Sequence, residues 1–543
     1  MKQSQRLILF MILSAAILFG SNYFYTKNMD KTVKNTAATT PNAVVTGKTT
    51  DTKIKVPSTK SSLFAAKKSE RIYTVETKLV KISFSNIAAS INSCLLKNYK
   101  ESNNSAKQLE LIPDGFSDSY MALSAATYPL DKIAWTYNGV KEDKDGKAVS
   151  FSAKVGSLTV VKTFHLRDDS YRIGLDVNFI NTSSAALAIQ DARLTLGPNI
   201  HYTPLESAAK KEGSGQYSFN HIIYKSGKDI KKYVINPKDS KLVVVPVLPD
   251  WIVLKDLYFL SSFIIPDKTQ IKNAFYQEEQ GGFAYVGLNL TDALIQPKSQ
   301  KTYSFASFLG PQEYKELKKS GMERLVDVGW IRELGIAMFF LMEFFFKLTK
   351  NYGVAILLLT LLIRGLLWFP SQSSFKHMKE TSSKMKIIQP RIDTLKKIYK
   401  DDAQKLNEET MKLWQEYKIN PFGGCLPVLL QLPIFVALYA TLMNMVELKG
   451  AYFMLWWTDL SKPDPYFVLP VFMAITTFVQ TKMSAQPAAT DDAAMQQKIM
   501  LYFMPIFFGF LALNWPAGLL LYWSMSNVFS IFQQFMVNKS LKV

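Results

Sequence analysis

LLTLLIRGLLWFP occupies residues 358–370 and sets one charge, Arg364, in an otherwise apolar run. At the centre of a bilayer a charge costs about 2.5–3.5 kcal/mol on insertion scales. Two readings fit Arg364 taken alone. Its side chain snorkels to nearby headgroups, since Pro370 marks the end of the run. Alternatively it faces a water-filled cavity between helices, with Thr360 at i−4 on the same face. Either way the run is a membrane segment, and the rest of the chain has to be read around it.

The 543 residues are 48% hydrophobic, with 36 Phe and 9 Trp, and the apolar ones crowd into the first 25 residues and the region beyond residue 320. The formal charge is +20. Lys and Arg sit in tails and loops beside apolar segments. That pattern points to membrane topology and anionic lipid, and away from nucleic acid. Cys94 lies in a polar region and Cys425 in an apolar one, so they form no disulfide framework. His165, His201, His221 and His377 lack metal-ligand spacing.

Residues 7–25, LILFMILSAAILFGSNYFY, follow Lys2 and Arg6. No A-x-A site ends the run, so 1–26 reads as a signal-anchor transmembrane helix with a cytoplasmic N-terminus. Residues 27–68 hold almost no large apolar side chains and read as a flexible linker. From 69 to 310 the period is two. In SYRIGLDVNFI (170–180), Tyr171, Ile173, Leu175, Val177 and Phe179 point one way and Arg172, Asp176 and Asn178 the other. SLTVVKTFHL, KLVVVPVL and LYFLSSFIIP are similar short runs. Together they predict a large all-β sandwich outside the cytoplasm.

Residues 311–349 contain LGIAMFFLMEFFFKL (334–348), too short to span and interrupted by Glu343 and Lys347. This region is expected to lie as an amphipathic helix in the outer interface. Five further spans follow, at 350–370, 421–446, 465–482, 498–513 and 516–537. The segment 371–420 carries eleven Lys/Arg against seven Asp/Glu. With six spans in all, that segment, the loop 483–497 and the tail 538–543 are cytoplasmic, and the loop 447–464 is external. Counting 334–348 as a span would put the basic segment outside. Ile388, Ile392, Leu395 and Tyr399 share a helical face, as do Leu406, Leu413 and Tyr417. A helical hairpin with Asp401 capping its second helix is expected in 371–420. A solvated charged linker is the plainer alternative.

No Gly-x4-Gly-Lys-Ser/Thr loop, G-x-S-x-G elbow or H-E-x-x-H pair occurs. The spans hold almost no acidic residues, which leaves a proton relay or an aspartyl intramembrane protease without support. The expectation is therefore no enzyme, no cofactor and no metal. Polar residues do recur in the spans. Trp523, Asn527, Ser530 and Gln534 form a stripe at i, i+4, i+7 and i+11. Gln431 and Asn444 interrupt the third span, and Thr476, Thr477 and Gln480 cluster in the fourth. A lone Gln or Asn serves as interhelical glue, whereas several of them beside an arginine favour a hydrated groove. Tyr522 and Trp523 either face that groove or pack as plain core.

NPFGGCLPVLLQLPIFVALY (420–439), QQKIM (496–500) and MPIFFGFLALNWPAGLLLYWSMSN (504–527) closely resemble the YidC membrane protein insertases. KMKIIQPRI followed by KDDAQKLNEETMKLW is similar to their cytoplasmic hairpin, and Arg364 in LLIRGLL matches their groove arginine. The resemblance covers about 320–540. It implies a polytopic α-helical protein of the inner membrane with a five-helix core. That core encloses a hydrophilic groove open to the cytoplasm and the lipid, where nascent membrane proteins are received. It also implies a periplasmic β-supersandwich of sugar-binding type without sugar chemistry, and cooperation with a Sec translocon. The tail after Gln534 is short, unlike the basic ribosome-binding tails of some relatives, so tail-mediated ribosome binding is not expected. The rival is a secondary transporter or channel. A transporter usually carries an internal repeat, and the two halves here show none.

Overall fold

The structure, a computed structural model, describes residues 70–101, 107–112, 120–143, 146–198, 221–236, 240–280, 282–326, 331–399, 402–417, 419, 426–484, 495 and 497–540. The expected anchor (1–26), linker (27–68) and tail end, with Asp401 and Cys425, lie outside the described residues.

The strand-rich part runs from Ile72 to Pro311. Its largest sheet is antiparallel and nine-stranded. The strand order is Asp229–Val234, His221–Ser226, Trp251–Lys255, Phe259–Ile264, Gln300–Pro311, Arg172–Asn181, Leu158–Arg167, Gly146–Val155 and Thr136–Asp143. A five-stranded sheet runs Lys241–Val244, Ile271–Glu279, Phe283–Leu290, Arg193–Leu196 and Ala122–Ser124. The two face each other where Trp251–Lys255 and Phe259–Ile264 meet Phe283–Leu290 and Arg193–Leu196. A four-stranded sheet (Ile72–Glu76, Val80–Ser85, Ser90–Lys100, Gln108–Glu110) and a two-stranded one (Leu187–Ile189, Ala293–Ile295) complete this part.

Alternation explains the register. Tyr171, Ile173, Leu175, Val177 and Phe179 are buried, while Arg172, Asp176 and Asn178 stay partly exposed. Leu175 pairs with Phe164 on one neighbour and Phe305 on the other. KLVVVPVL differs from the expected half-buried strand. Only Lys241–Val244 is strand, it sits at a sheet edge, and Leu242 and Val244 are exposed. Pro246 lacks the N–H that would extend it.

One inward position of the nine-stranded sheet is a lysine. Lys162 is fully buried, and its ammonium donates to the carbonyls of Ala88 (3.3 Å), Ala89 (2.7 Å) and Met121. All three residues are left-handed, with φ of 57°, 44° and 59°. The Phe164 ring lies 5.1 Å from the ammonium. Burial pulls the Lys162 pKa well down. Three carbonyl acceptors, one for each N–H, work in the opposite direction by favouring the charged form.

Beyond the sheets come helices α1 (Tyr314–Lys319), α2 (Arg332–Thr349), α3 (Tyr352–Leu366), α4 (Trp368–Ile398), α5 (Ala403–Glu416), α6 (Leu426–Asn444) and α7 (Val468–Ser484). A π-helical turn (Ile499–Phe503) leads into α8 (Met504–Ala512), and α9 (Ala517–Ser540) is last. Two compact units result. Among the described residues, one holds 379–399, 402–417, 419, 484, 495 and 497–504, and the other holds the rest.

In the first unit, Met385, Ile388 and Ile392 of α4 are buried with Leu413 of α5 and Ile419 just beyond it. The cap of α5 is Asp402, whose carboxylate accepts from Lys405 N at 3.0 Å. This differs by one residue from the expected Asp401. In the second unit, α2 packs on α3 and α6. Its buried face carries Gly335, Met338, Phe339 and Met342, and its exposed face Phe340, Phe344 and Leu348.

Among the described residues, no single helix is long and apolar enough to cross a membrane; α3 and α4 meet the length and composition test only as a pair bent by 62°. Two physical reasons account for this. The 15 residues of α3 are apolar but rise only about 22 Å, while the 24 residues of α9 rise about 36 Å but carry a polar stripe. The apolar run 350–370 does not continue straight. Helix α3 stops at Leu366, and Pro370 sits in the first turn of α4, where its missing N–H costs nothing.

Candidate functional site on the last helix

Helix α9 packs against α3 and α6. Its buried residues mix Leu519, Leu520 and Leu521 with the polar Tyr522, Ser524, Ser526, Asn527, Ser530 and Gln533.

Each neighbour is joined to α9 through side chains. From α3, Arg364 donates through Nε to Ser526 Oγ at 2.8 Å and through Nη2 to the same oxygen. From α6, Gln431 Nε2 donates to the Tyr522 hydroxyl at 2.6 Å. Tyr522 lies one helical turn before Ser526 and within electrostatic reach of Arg364. These four residues make one cluster spanning three helices. Toward α7, Asn527 Nδ2 donates to Thr477 Oγ1 at 2.9 Å and Thr476 Oγ1 at 3.2 Å. Toward the first turn of α4, Gln533 Nε2 donates to the Trp368 carbonyl at 2.8 Å.

The residues expected from the sequence therefore separate. Arg364, Gln431 and Tyr522 come together, and Asn527 forms its own link one step along. Ser530 and Gln534 are buried on the same helix, and Ser530 Oγ makes no hydrogen bond among the described residues. Thr360 is fully buried, and its hydroxyl returns to the Ile356 carbonyl at 2.7 Å, so it supplies nothing to Arg364. Gln480 is half-buried on α7, a turn away from Thr476. Trp523 belongs to an aromatic cluster instead, with ring centroids 4.8 Å from Phe435, 5.7 Å from Phe508 and 5.6 Å from Trp515. Ser526 and Gln533 were not anticipated. They lie at i+4 and i+11 from Tyr522, a second polar stripe running beside the first.

No described carboxylate forms an ion pair with Arg364. The guanidinium meets one neutral hydroxyl, so most of its five donors and its whole charge stay uncompensated by described side chains. The arrangement has no nucleophile–base pair, and no cluster of three metal-ligating side chains occurs among the described residues. What it offers chemically is recognition of polar and anionic groups.

Residues 72–347 match the family described as YidC periplasmic domain, and residues 344–543 match the family described as 60Kd inner membrane protein. The chain belongs to the YidC family of membrane protein insertases. It is 31% identical to the membrane protein insertase YidC of Geobacter sulfurreducens, with 86% of each chain covered. It is 29% identical to that of Syntrophus aciditrophicus, covering 98% of this chain and 99% of the relative. A crystal structure of an active YidC insertase aligns over 86% of this chain and 92% of that one, at 20% identity and a TM-score of 0.35. The protein is thus an inner-membrane insertase with a large β-rich periplasmic domain and a helical C-terminal region, in a family that is not an enzyme family. The transporter reading is set aside.

Proposed function

We propose that α3, α6, α7, α9 and the span containing α8 form a five-helix core around a hydrophilic groove, into which Arg364 and the polar face of α9 look. The polar flank of a nascent membrane protein enters this groove from the cytoplasm, and its apolar helix leaves sideways into lipid. The anchor 1–26 and the spans 350–370, 421–446, 465–482, 498–513 and 516–537 put both termini and the hairpin 371–420 in the cytoplasm. The basic hairpin meets anionic lipid and the arriving substrate first, and a Sec translocon can hand on longer clients.

The reading is carried by one observation: a guanidinium set in an apolar helix, bonded to a single serine hydroxyl, with no described acidic partner. A substrate helix of about 20 residues gains on the order of 6–12 kcal/mol on entering lipid, at roughly 0.3–0.6 kcal/mol per strongly apolar residue. The obstacle is its polar flank, each of whose unsatisfied backbone groups costs several kcal/mol in hydrocarbon. A groove part-way across shortens that dry path, and Arg364 favours acidic flanks further. Partitioning of the substrate then drives the step without a nucleotide.

The test is insertion of a small single-span protein into liposomes without ATP, using neutral and acidic outer segments. Arg364→Ala is expected to impair the acidic substrate most, and Arg364→Lys to be milder because it keeps the charge but loses the planar fork. Ser526→Ala removes the link between α3 and α9 and leaves the charge. Equal loss for both substrates in Arg364→Ala, matched by Ser526→Ala, would make Arg364 a structural pin and overturn the charge role.

A further inference from the structure

The loop between α6 and α7 buries Phe453 and Leu460 alongside polar groups and leaves other large apolar side chains outside. Two buried aspartates organise it. Asp459 Oδ1 accepts from Gly450 N (2.9 Å), Ser461 N (3.0 Å) and the Ser461 hydroxyl (2.6 Å). Asp464 accepts from the Trp456 indole N–H (3.1 Å), Tyr466 N (3.1 Å) and Leu469 N (2.8 Å), the last of these capping α7. The loop is also tied to the start of α9, because Ala517 N donates to the Lys462 carbonyl at 2.8 Å and Gly518 N to the Leu460 carbonyl at 2.9 Å. With so many backbone groups held, this is a fixed ledge, and its exposed side chains stay where the fold puts them.

Those side chains are large and apolar. Tyr452, Met454, Leu455, Tyr466 and Phe467 are exposed, Leu455 at 65% and Tyr466 at 67%. Leu455 and Phe467 have φ of 52° and 56°, a left-handed conformation that such residues adopt only when their surroundings impose it. The apolar surface has no polar border on one side. It runs from Phe467 and Val468 onto α7, where Val471, Phe472 and Ile475 are exposed in turn. The loop is also bound to the turn between α2 and α3, where Asn351 Nδ2 donates to the Phe453 carbonyl at 2.9 Å. The exposed Phe344 and Leu348 of α2 lead into that turn.

We propose that this loop is an interfacial anchor, bedding Tyr452, Leu455 and Tyr466 in the headgroup–acyl boundary of the outer leaflet beside the C-terminal end of α2. The inference rests on the reading of α6 and α7 as membrane spans. A lipid surface suits the patch better than a protein partner for two reasons. The apolar area merges with the exposed face of α7 instead of closing in a polar rim. Its tip also mixes Tyr and Trp with Leu and Met, and rings with one apolar body and one polar end prefer the membrane–water boundary. Trp456 and Tyr466, edge to face at 5.3 Å, combine both properties.

The test places photoreactive benzoyl-phenylalanine singly at Leu455, Tyr466, Phe472 and Leu294 of the full chain. The protein is reconstituted in phosphatidylethanolamine–phosphatidylglycerol vesicles, and the adducts are weighed by mass spectrometry. Leu294 is exposed on the β domain and serves as the aqueous reference. Phospholipid adducts at Leu455 and Tyr466 are expected roughly tenfold above Leu294, as at Phe472. Protein-only cross-links at Leu455 and Tyr466, or adducts at the Leu294 level, would overturn the anchor. If Phe472 still gives lipid adducts, the spans stand and the anchor alone falls; if Phe472 is silent too, both fall. Tyr466 keeps an aromatic of similar shape in an exposed position, so its result does not depend on how Leu455 tolerates replacement.

Discussion

Glu447 sits at the seam where the β domain meets the helices, and replacing it with Gln should change how stability depends on pH. The residue is partly exposed, but its carboxyl is desolvated, and this burial pushes its pKa from about 4.5 up to about 8. A backbone hydrogen bond and Lys315 work against the rise, while Glu313 and Glu343 add to it. The groups facing it are themselves engaged. Glu313 accepts from the Tyr99 hydroxyl at 2.9 Å, and Glu343 pairs with Lys315 at 2.5 Å. Below pH 4.5 folded and unfolded chains both hold the proton, and nothing is lost. Between about 4.5 and 8 the unfolded chain releases it and the folded chain keeps it, so stability falls as pH rises, levelling off above 8. At 1.36 kcal/mol per pH unit the full span is on the order of 5 kcal/mol, and solvent at the residue's edge reduces it to about 2–3 kcal/mol. Glu447→Gln keeps the shape and removes the titration. Heat-induced unfolding in detergent, followed by Trp fluorescence from pH 5 to pH 9, should show the variant gaining on the parent by about 4–8 °C as pH rises. A gap that stays constant across the range would mean that the folded carboxyl is not protonated, and the argument from burial fails.

Two further outcomes follow from packing around the helices. Asn527→Ala strips the buried Thr476 and half-buried Thr477 hydroxyls of their shared donor and should cost about 1–3 kcal/mol; a drop in unfolding temperature with Asn527→Ala, and a smaller one with Asn527→Ser, would be the signature. Gly353→Ala places a Cβ 2.0 Å from the Phe453 ring, in a loop tied down at Asn351, so the ring must move. Destabilisation of about 1–3 kcal/mol is expected, with partial recovery when Phe453→Leu is added, measured by the same unfolding assay.

The β domain was legible wherever alternation was strict, as at Tyr171–Phe179, because a strand with one face inward needs period two. The same alternation lists Leu158, Val160, Lys162, Phe164 and Leu166 as inward, so the buried lysine had a signal that a charge-based reading passes over. The strand at Lys241–Val244 misled for a different reason: apolar content is the same in a core strand and at an edge. In the helical region Arg364, Gln431, Tyr522 and Asn527 stood out as polar residues in apolar runs. Ser526 did not, since one serine in WSMSN carries no weight until Arg364 is brought beside it. Thr360 shared a helical face with Arg364, yet periodicity cannot tell that its hydroxyl turns back to its own helix. The bend after Leu366 was likewise hidden in hydropathy, although Pro370 marked the place.

Lys162 has a consequence for life outside the cytoplasm. Turns that converge several carbonyls on one point are a common way of holding a calcium or sodium ion, and such turns loosen when the ion is chelated or diluted away. Here the nitrogen bonded to the carbonyls of Ala88, Ala89 and Met121 is covalently part of the strand Leu158–Arg167. The periplasm exchanges its small ions with the surroundings, yet this corner of the domain cannot be emptied by dialysis, chelators or a change in salt.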